Sequence, residues 1–182
     1  MSDDQSYSPE VPFERIKVRV SAVVFCGNEV ALLRRDRPSN IHLFTTIGGN
    51  VFSGEPLDAA LSRELEEELA LALGVGTEPE LLWLMDVRVT RPGNTPSPRK
   101  LHLIYRLHVS ADVRRALATH EFDKLAEGGH EVGYVQWIDY RQAAGLPLFP
   151  PMGAAFARLA SPTARPSTVE LPAVTDNEYS WI

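Results

Sequence analysis

The chain has one cysteine, Cys26, in 182 residues, so no internal disulfide can form. Cys26 closes the apolar run Ala22-Val23-Val24-Phe25-Cys26 and reads as a small buried hydrophobe rather than a reactive thiol. No stretch approaches ~18 uninterrupted apolar residues, which excludes a membrane-spanning helix. The start, Met1-Ser2-Asp3-Asp4, is acidic and leads into no apolar segment, so no secretory signal is expected and the expected location is the cytoplasm. Basic residues are in the minority, 18 Lys and Arg against 24 Asp and Glu, for a net charge of −6. That balance argues against a nucleic-acid polymer as partner, since phosphate backbones are held by clustered cations. It leaves a small phosphorylated ligand open, because a bound divalent metal can supply positive charge. There is no Asp-rich loop of the EF-hand kind, no helix-turn-helix pattern and no internal repeat.

What remains is a globular composition, 44% hydrophobic and 23% charged, long enough to bury a real core. One domain over residues 15–160 is expected, preceded by a polar arm at 1–14. A tail rich in Pro, Ser and Thr follows at 161–182. The tail ends in Tyr179-Ser180-Trp181-Ile182. Its polarity favours disorder, whereas its aromatic and aliphatic end favours docking on the body or on a second subunit.

Residues 16–26 and 30–33 are rich in β-branched side chains, and Gly27-Asn28 between them marks a hairpin turn. Residues 36–43 read as a loop, and 44–47 as a short strand ending at Gly48-Gly49. Pro56 suits the first turn of a helix. Leu57, Leu61, Leu65 and Leu69 then recur every four residues as one apolar stripe. Strands are expected at 81–90, 101–109 and 135–138. Short helices are expected at 112–117 and 141–144, and a last one at 153–160. A long loop occupies 91–100 and a Gly-rich loop 127–133. Strands and helices in this mixed order indicate an α/β sandwich around a mixed sheet.

The stripe-bearing helix also carries Arg63-Glu64-Leu65-Glu66-Glu67-Glu68. At ~100° per residue, Glu64 and Glu68 lie ~40° apart and Glu67 ~60° to the other side of Glu64. Glu66 points the opposite way. Three converging carboxylates repel one another and raise one another's pKa unless a cation is present. An oxygen-only donor set suits a hard cation, Mg²⁺ or Mn²⁺. The glycines at 48 and 49 let backbone come close to such an ion. A Glu-rich helix face is otherwise an ordinary solvated surface, so the spacing has to decide.

Residues 49–71 resemble the Nudix box. Gly49, Glu55, Arg63, Glu64, Leu65, Glu67, Glu68 and Leu71 stand where the box requires them, and Ala70 replaces the box glycine. Six of these are single-residue demands, so a random match is on the order of one in ten million per start, which sets coincidence aside. The resemblance implies a Nudix-type α/β/α sandwich around a mixed β-sheet. The box glycine commonly ends the helix in a left-handed conformation. Alanine there carries a steric penalty, so the helix is expected to run on through Leu71-Ala72-Leu73 and stop at Gly74.

In proteins similar to this one, a glycine-loop carbonyl and the helix glutamates hold divalent ions. Carried over, Glu64, Glu67 and Glu68 become metal ligands at the catalytic centre and Gly48 supplies the carbonyl. Glu55 buttresses the site, and Arg63 orients the glutamates by charge-assisted hydrogen bonds. Mg²⁺ is the implied cofactor, with Mn²⁺ as the alternative. The implied reaction is attack of water on a phosphorus of a diphosphate, helped by the metal. The base is a helix glutamate or the late-loop Glu131, whose other reading is an ordinary surface glutamate. His120 and His130 read as loop histidines. Arg34, Arg35 and Arg37, and Arg91, Arg99 and Lys100, either meet substrate phosphates or form solvated loop faces.

The implied substrate is a nucleoside diphosphate linked to another moiety, such as a nucleotide sugar or an ADP-ribose-like compound. Two alternatives stand beside it. One is a nucleoside triphosphate pyrophosphohydrolase. The other is a non-catalytic Nudix-like regulator, a class that typically loses box glutamates retained here. Substrate choice is assigned to loops outside the box, at 36–43, 91–100 and 120–133. A homodimer is also implied, since relatives are often dimers.

Overall fold

The computed structural model describes residues 16–90, 99–124 and 128–179. The arm at 1–14, Arg91, Trp181 and Ile182 lie outside the described residues. Strand β1, Lys17–Cys26, is buried without a break from Val20 to Phe25 because both of its faces are covered. The period of two sorts its side chains: Val23 and Phe25 enter one core cluster, and Val20, Ala22 and Val24 enter another. Gly27, at φ +59°, turns the chain into β2, Glu29–Arg37, with Phe25 opposite Val30. On β2 the same sorting sends Val30 and Leu32 one way and Ala31 and Leu33 the other.

The loop expected at 36–43 is much shorter. Strand β2 runs to Arg37, a 3-10 turn covers Pro38–Asn40, and β3 covers Ile41–Thr45. Backbone pairing from Leu33↔Thr45 to Arg37↔Ile41 holds the charged residues in strand geometry despite their polarity. Strand β4, Ile47–Asn50, contains Gly48 and Gly49 instead of stopping at them. Helix α1, Leu57–Leu69, follows Pro56, which stands at the cap in extended geometry, one position before the place expected for it.

The remaining elements are β5, Glu80–Arg88; β6, Lys100–His108; α2, Ala111–Ala116; β7, His120–Lys124; β8, His130–Asp139; β9, Leu148–Phe149; α3, Gly153–Ala157; and β10, Val174–Thr175. The strand path is β10-β5-β6-β1-β2-β3-β9, with β4 on β1, β8 on β2 and β7 on β8. Pairs β1/β6, β3/β9 and β5/β10 are parallel and the others antiparallel, so the sheet is mixed. Helix α1 covers one cluster through Ala60, Leu61, Leu65 and Leu69, and α3 covers the other through Ala155 and Phe156. Leu57, counted in the apolar stripe, is 41% exposed and packs into neither.

Three further expectations are corrected. Helix α1 stops at Leu69, and Ala70 itself adopts the left-handed conformation, φ 54°, ψ 36°. Its N–H reaches the Glu66 and Leu65 carbonyls, and the Leu71 N–H donates to the Leu65 carbonyl at 3.1 Å. The turn sends Leu71 into the α1 cluster at 1% exposure. Burying a leucine is worth about 1.5–3 kcal/mol, enough to offset the ~1–2 kcal/mol cost of left-handed alanine. Second, the described part of the Gly-rich loop is mostly strand: Gly128 and Gly129, both at positive φ, precede β8, and Glu131 lies on that strand. Third, the final helix is cut short at Ala157.

The segment after α3 packs on the body. It runs along β5, and Leu171 and Val174 are buried in the α3 cluster. Among the described residues no helix is long and apolar enough to cross a membrane.

Candidate active site

Pairing of β4 with β1 sets Gly48 against Ser21 and Gly49 against Val20. At Gly48 a side chain would strike backbone, and at Gly49 it would displace the Glu64 carboxylate. A Cβ on Gly48 would stand 2.2 Å from the Val20 carbonyl oxygen, and one on Gly49 would stand 1.9 Å from Glu64 Oε1. The glycines thus let α1 settle onto the strand with the Glu64 carboxylate directly over the backbone.

Arg63 organises the helix face. It forms a two-pronged pair with Glu55, Nε to Oε1 at 2.9 Å and Nη2 to Oε2 at 3.1 Å. Its Nη1 donates to Glu64 Oε1 at 2.5 Å and to Glu67 Oε2 at 3.4 Å, and Nη2 also donates to the Asn50 carbonyl at 3.1 Å. The guanidinium lies 4.3 Å from the centroid of the Phe52 ring. Glu55 accepts the Phe52 N–H at 2.9 Å as well. The hydrogen bond from Arg63, then the one from Phe52, hold its carboxyl below the usual glutamate range.

Glu68 accepts the Gly48 N–H at 2.7 Å. Burial, with the charges of Glu121 and Glu64 adding to it, pushes its pKa up to about 8 against the pull of Gly48 and Arg19. Burial raises Glu64 as well, against the pull of Arg63. Glu67 is 59% exposed at the side chain, and Glu66 faces solvent. The Gly48 carbonyl accepts from Arg19 Nη2.

These groups line a cleft of about 600 Å³ that holds Arg19, Arg35, Gly48, Glu64, Glu67, Glu68 and Glu121. Glu121, on β7, was not singled out in the sequence. It is buried and ion-paired with Arg35, and its cross-strand neighbour Gly133 leaves room for its carboxylate. Glu131 does not line this cleft. It sits one same-face position closer to the hairpin tip, bound to Arg35 at 3.2 Å and to Arg37. There it helps to line a second cavity of about 180 Å³ with Arg37, Thr45, Thr46, His102, Phe149 and Pro150. Arg19 and Arg35 belong to both spaces. Of the other basic residues, Arg34 pairs with Asp36 and Arg99 with Asp86, both away from the two cavities. His120 and His130 are exposed and meet the Phe122 ring edge-on.

Among the described residues no three acidic, His or Cys side chains already meet as a metal cage. Glu64 and Glu67 lean on Arg63, and Glu68 leans on Gly48. The donor set still fits a hard divalent cation. It is all oxygen, it shares one cleft, and Glu68 is costly to ionise without a positive neighbour.

A family model described as NUDIX domain matches residues 15–159. The chain belongs to the Nudix family. It is a Nudix hydrolase, of a family that cleaves pyrophosphate bonds in nucleoside diphosphate derivatives. Solved Nudix structures share its fold. The mMutator MutT protein from Bacillus halodurans is 15% identical over 87% of this chain and 88% of its own, at TM-score 0.55. The MutT protein from Methanosarcina mazei is 19% identical over 80% and 93%, also at 0.55. The NUDIX domain of Shewanella oneidensis NrtR, complexed with ADP ribose, is 19% identical over 85% and 97%, at 0.52. A search of curated proteins finds no match.

Proposed function

We propose that the chain hydrolyses a phosphoanhydride bond in a nucleoside diphosphate linked to another moiety, with Mg²⁺, or Mn²⁺ in its place, as cofactor. The observation that carries this reading is the two-part cleft. An acidic half built from Glu64, Glu67, Glu68 and Glu121 joins, through Arg19 and Arg35, a second cavity walled by Thr45, Thr46, His102 and Phe149. A diphosphate needs cations along its length, and its substituent needs a separate recess with both polar and apolar walls. A Nudix domain of like fold, from Shewanella oneidensis NrtR, is complexed with ADP ribose, a compound of the proposed class, which supports the reading.

Glu64, Glu67 and Glu68, with the Gly48 carbonyl, are the residues that would hold the cation. Bound there, it would neutralise phosphate oxygens and lower the pKa of water. Arg63 and Glu55 fix the glutamates so that little reorganisation accompanies reaction. Arg19 and Arg35 face the diphosphate as charge-assisted donors. Glu121, facing Glu68 across the cleft, takes the proton of the attacking water.

The test is a phosphate-release screen over nucleotide sugars, ADP-ribose, dinucleoside polyphosphates and nucleoside triphosphates, with and without Mg²⁺. Turnover of nucleoside diphosphate derivatives only when Mg²⁺ is present is the expected result. Preference for triphosphates would overturn the substrate assignment. Binding without turnover across the panel would make the protein a ligand-binding regulator.

A further inference from the structure

The family match ends at residue 159, yet the chain past that point is fastened to the body at three places. Arg106, 3% exposed, donates from Nη1 to the Pro162 carbonyl at 2.9 Å and the Ala164 carbonyl at 2.6 Å, while its Nη2 holds Glu80 at 2.6 Å. The Leu84 N–H donates to the Val169 carbonyl at 2.8 Å, and the Leu171 N–H returns a bond to the Leu84 carbonyl at 2.9 Å. Asp176 takes the Thr90 N–H and hydroxyl, both at 2.7 Å.

Around the last anchor the segment turns from Thr175 to Glu178 and brings Tyr179 to the Phe149 ring, with centroids 5.1 Å apart and planes at 54°. Phe149 is a wall of the 180 Å³ cavity and meets His102, another wall residue, edge-on at 6.2 Å. Tyr179 therefore stands behind the aromatic wall of the recess assigned to the substrate's second moiety.

We infer that Tyr179 is a positioning residue for substrate selection: it holds Phe149, and through it the width of this cavity. The inference rests on the two-part reading of the cleft. It adds that a segment outside the family match sets which moiety is accepted. Phe149 is 5% exposed, lining the cavity and packed into the α3 cluster with Tyr179 against it, so removing Tyr179 takes away packing that keeps its ring in place beside the cavity. Tyr179 packs on Phe149 and does not line the cleft of the acidic half, so the effect belongs in substrate affinity and ranking rather than in the chemical step.

Steady-state kinetics on the full-length chain, using the best substrate of the panel, tests this. Tyr179→Ala is expected to raise KM about tenfold, with kcat within about twofold, and to flatten the ranking among substituents. Tyr179→Phe, which keeps the ring, is expected to restore wild-type KM. Tyr179→Leu serves if the alanine variant melts too low to assay, and it is expected to behave like Tyr179→Ala. In a cycle with Phe149→Leu, the two KM effects are expected to be less than additive, because both act on one wall. Unchanged KM and ranking in an active Tyr179→Ala or Tyr179→Leu variant overturns the inference, as does full additivity with Phe149→Leu. Wild-type protein that turns over no member of the panel removes the cleft reading itself, and this inference falls with it.

Discussion

Gly48 and Glu68 are joined by a 2.7 Å hydrogen bond from the glycine N–H to Glu68 Oε2, although burial works against a charge on that carboxylate. One backbone donor offsets only part of the cost, so the carboxyl stays near pKa 8 against 4.5 for an ordinary glutamate. The folded chain therefore keeps a proton that the unfolded chain releases as pH rises from about 4.5 to about 8. Because the folded state binds more protons in that window, the metal-free protein loses stability across it as pH increases. A divalent cation competes for the same carboxylate. Mg²⁺ is expected to raise the melting temperature more at pH 8 than at pH 6, as measured by thermal melts with and without the ion. Equal shifts at the two pH values would contradict the assignment of Glu68.

Removing charge from the helix face tests the catalytic roles. Glu68→Gln and Glu64→Gln are each expected to lower kcat by about 10²–10³ with the fold retained by circular dichroism. Glu55 reaches the helix glutamates through Arg63 rather than directly, so for Glu55→Gln a smaller loss of about 10–100-fold is expected. A Glu68→Gln variant with full rate would place the metal elsewhere.

The two late glutamates separate cleanly. Glu121→Gln is expected to cost about 10²–10⁴ in kcat and to remove the acidic limb of the pH–rate profile, as loss of a general base does. Glu131→Gln removes one ion-pair partner from each of Arg35 and Arg37 beside the second cavity, so its effect is expected mainly in KM. The reverse pattern would return the base to Glu131.

Ala70 is the one box position that departs from the family, and it holds a left-handed backbone. Ala70→Gly relieves a cost of ~1–2 kcal/mol but gives back some of it in unfolded-chain entropy, for a net stabilisation of about 0.5–1 kcal/mol. Urea denaturation is expected to show a higher midpoint with activity unchanged. A lower midpoint would mean that the Ala70 methyl group makes a contact worth more than the strain.

The glutamate-bearing helix was legible because the Nudix box demands particular residues at helical spacing, and Leu61, Leu65 and Leu69 form its buried face. The end of that helix was not, because the local preference of Ala70 was overridden by burial of Leu71, a tertiary effect. Glu121 escaped for a similar reason. Its strand is five residues long and gains its meaning only from pairing with β8. The one signal in the sequence is Gly128-Gly129 between two short runs, a pattern that fits a hairpin as well as a loop. Arg19 and His102 carry no motif at all; parallel pairing of β1 with β6 brings their strands into register, residue for residue.

The segment that runs along β5 also bears on how the molecule behaves in a crowded solution. An open sheet edge offers unpaired N–H and C=O groups to any passing strand, a route to aggregation. Here the β5 side of the sheet is finished by β10, a strand of only two residues, Val174–Thr175, with Pro166 and Pro172 in the chain just before it. Proline donates no backbone hydrogen bond and so interrupts any further ladder. The same residues that reach toward the cavity wall thus leave the outer edge of a ten-stranded sheet too short and too broken to recruit a neighbour.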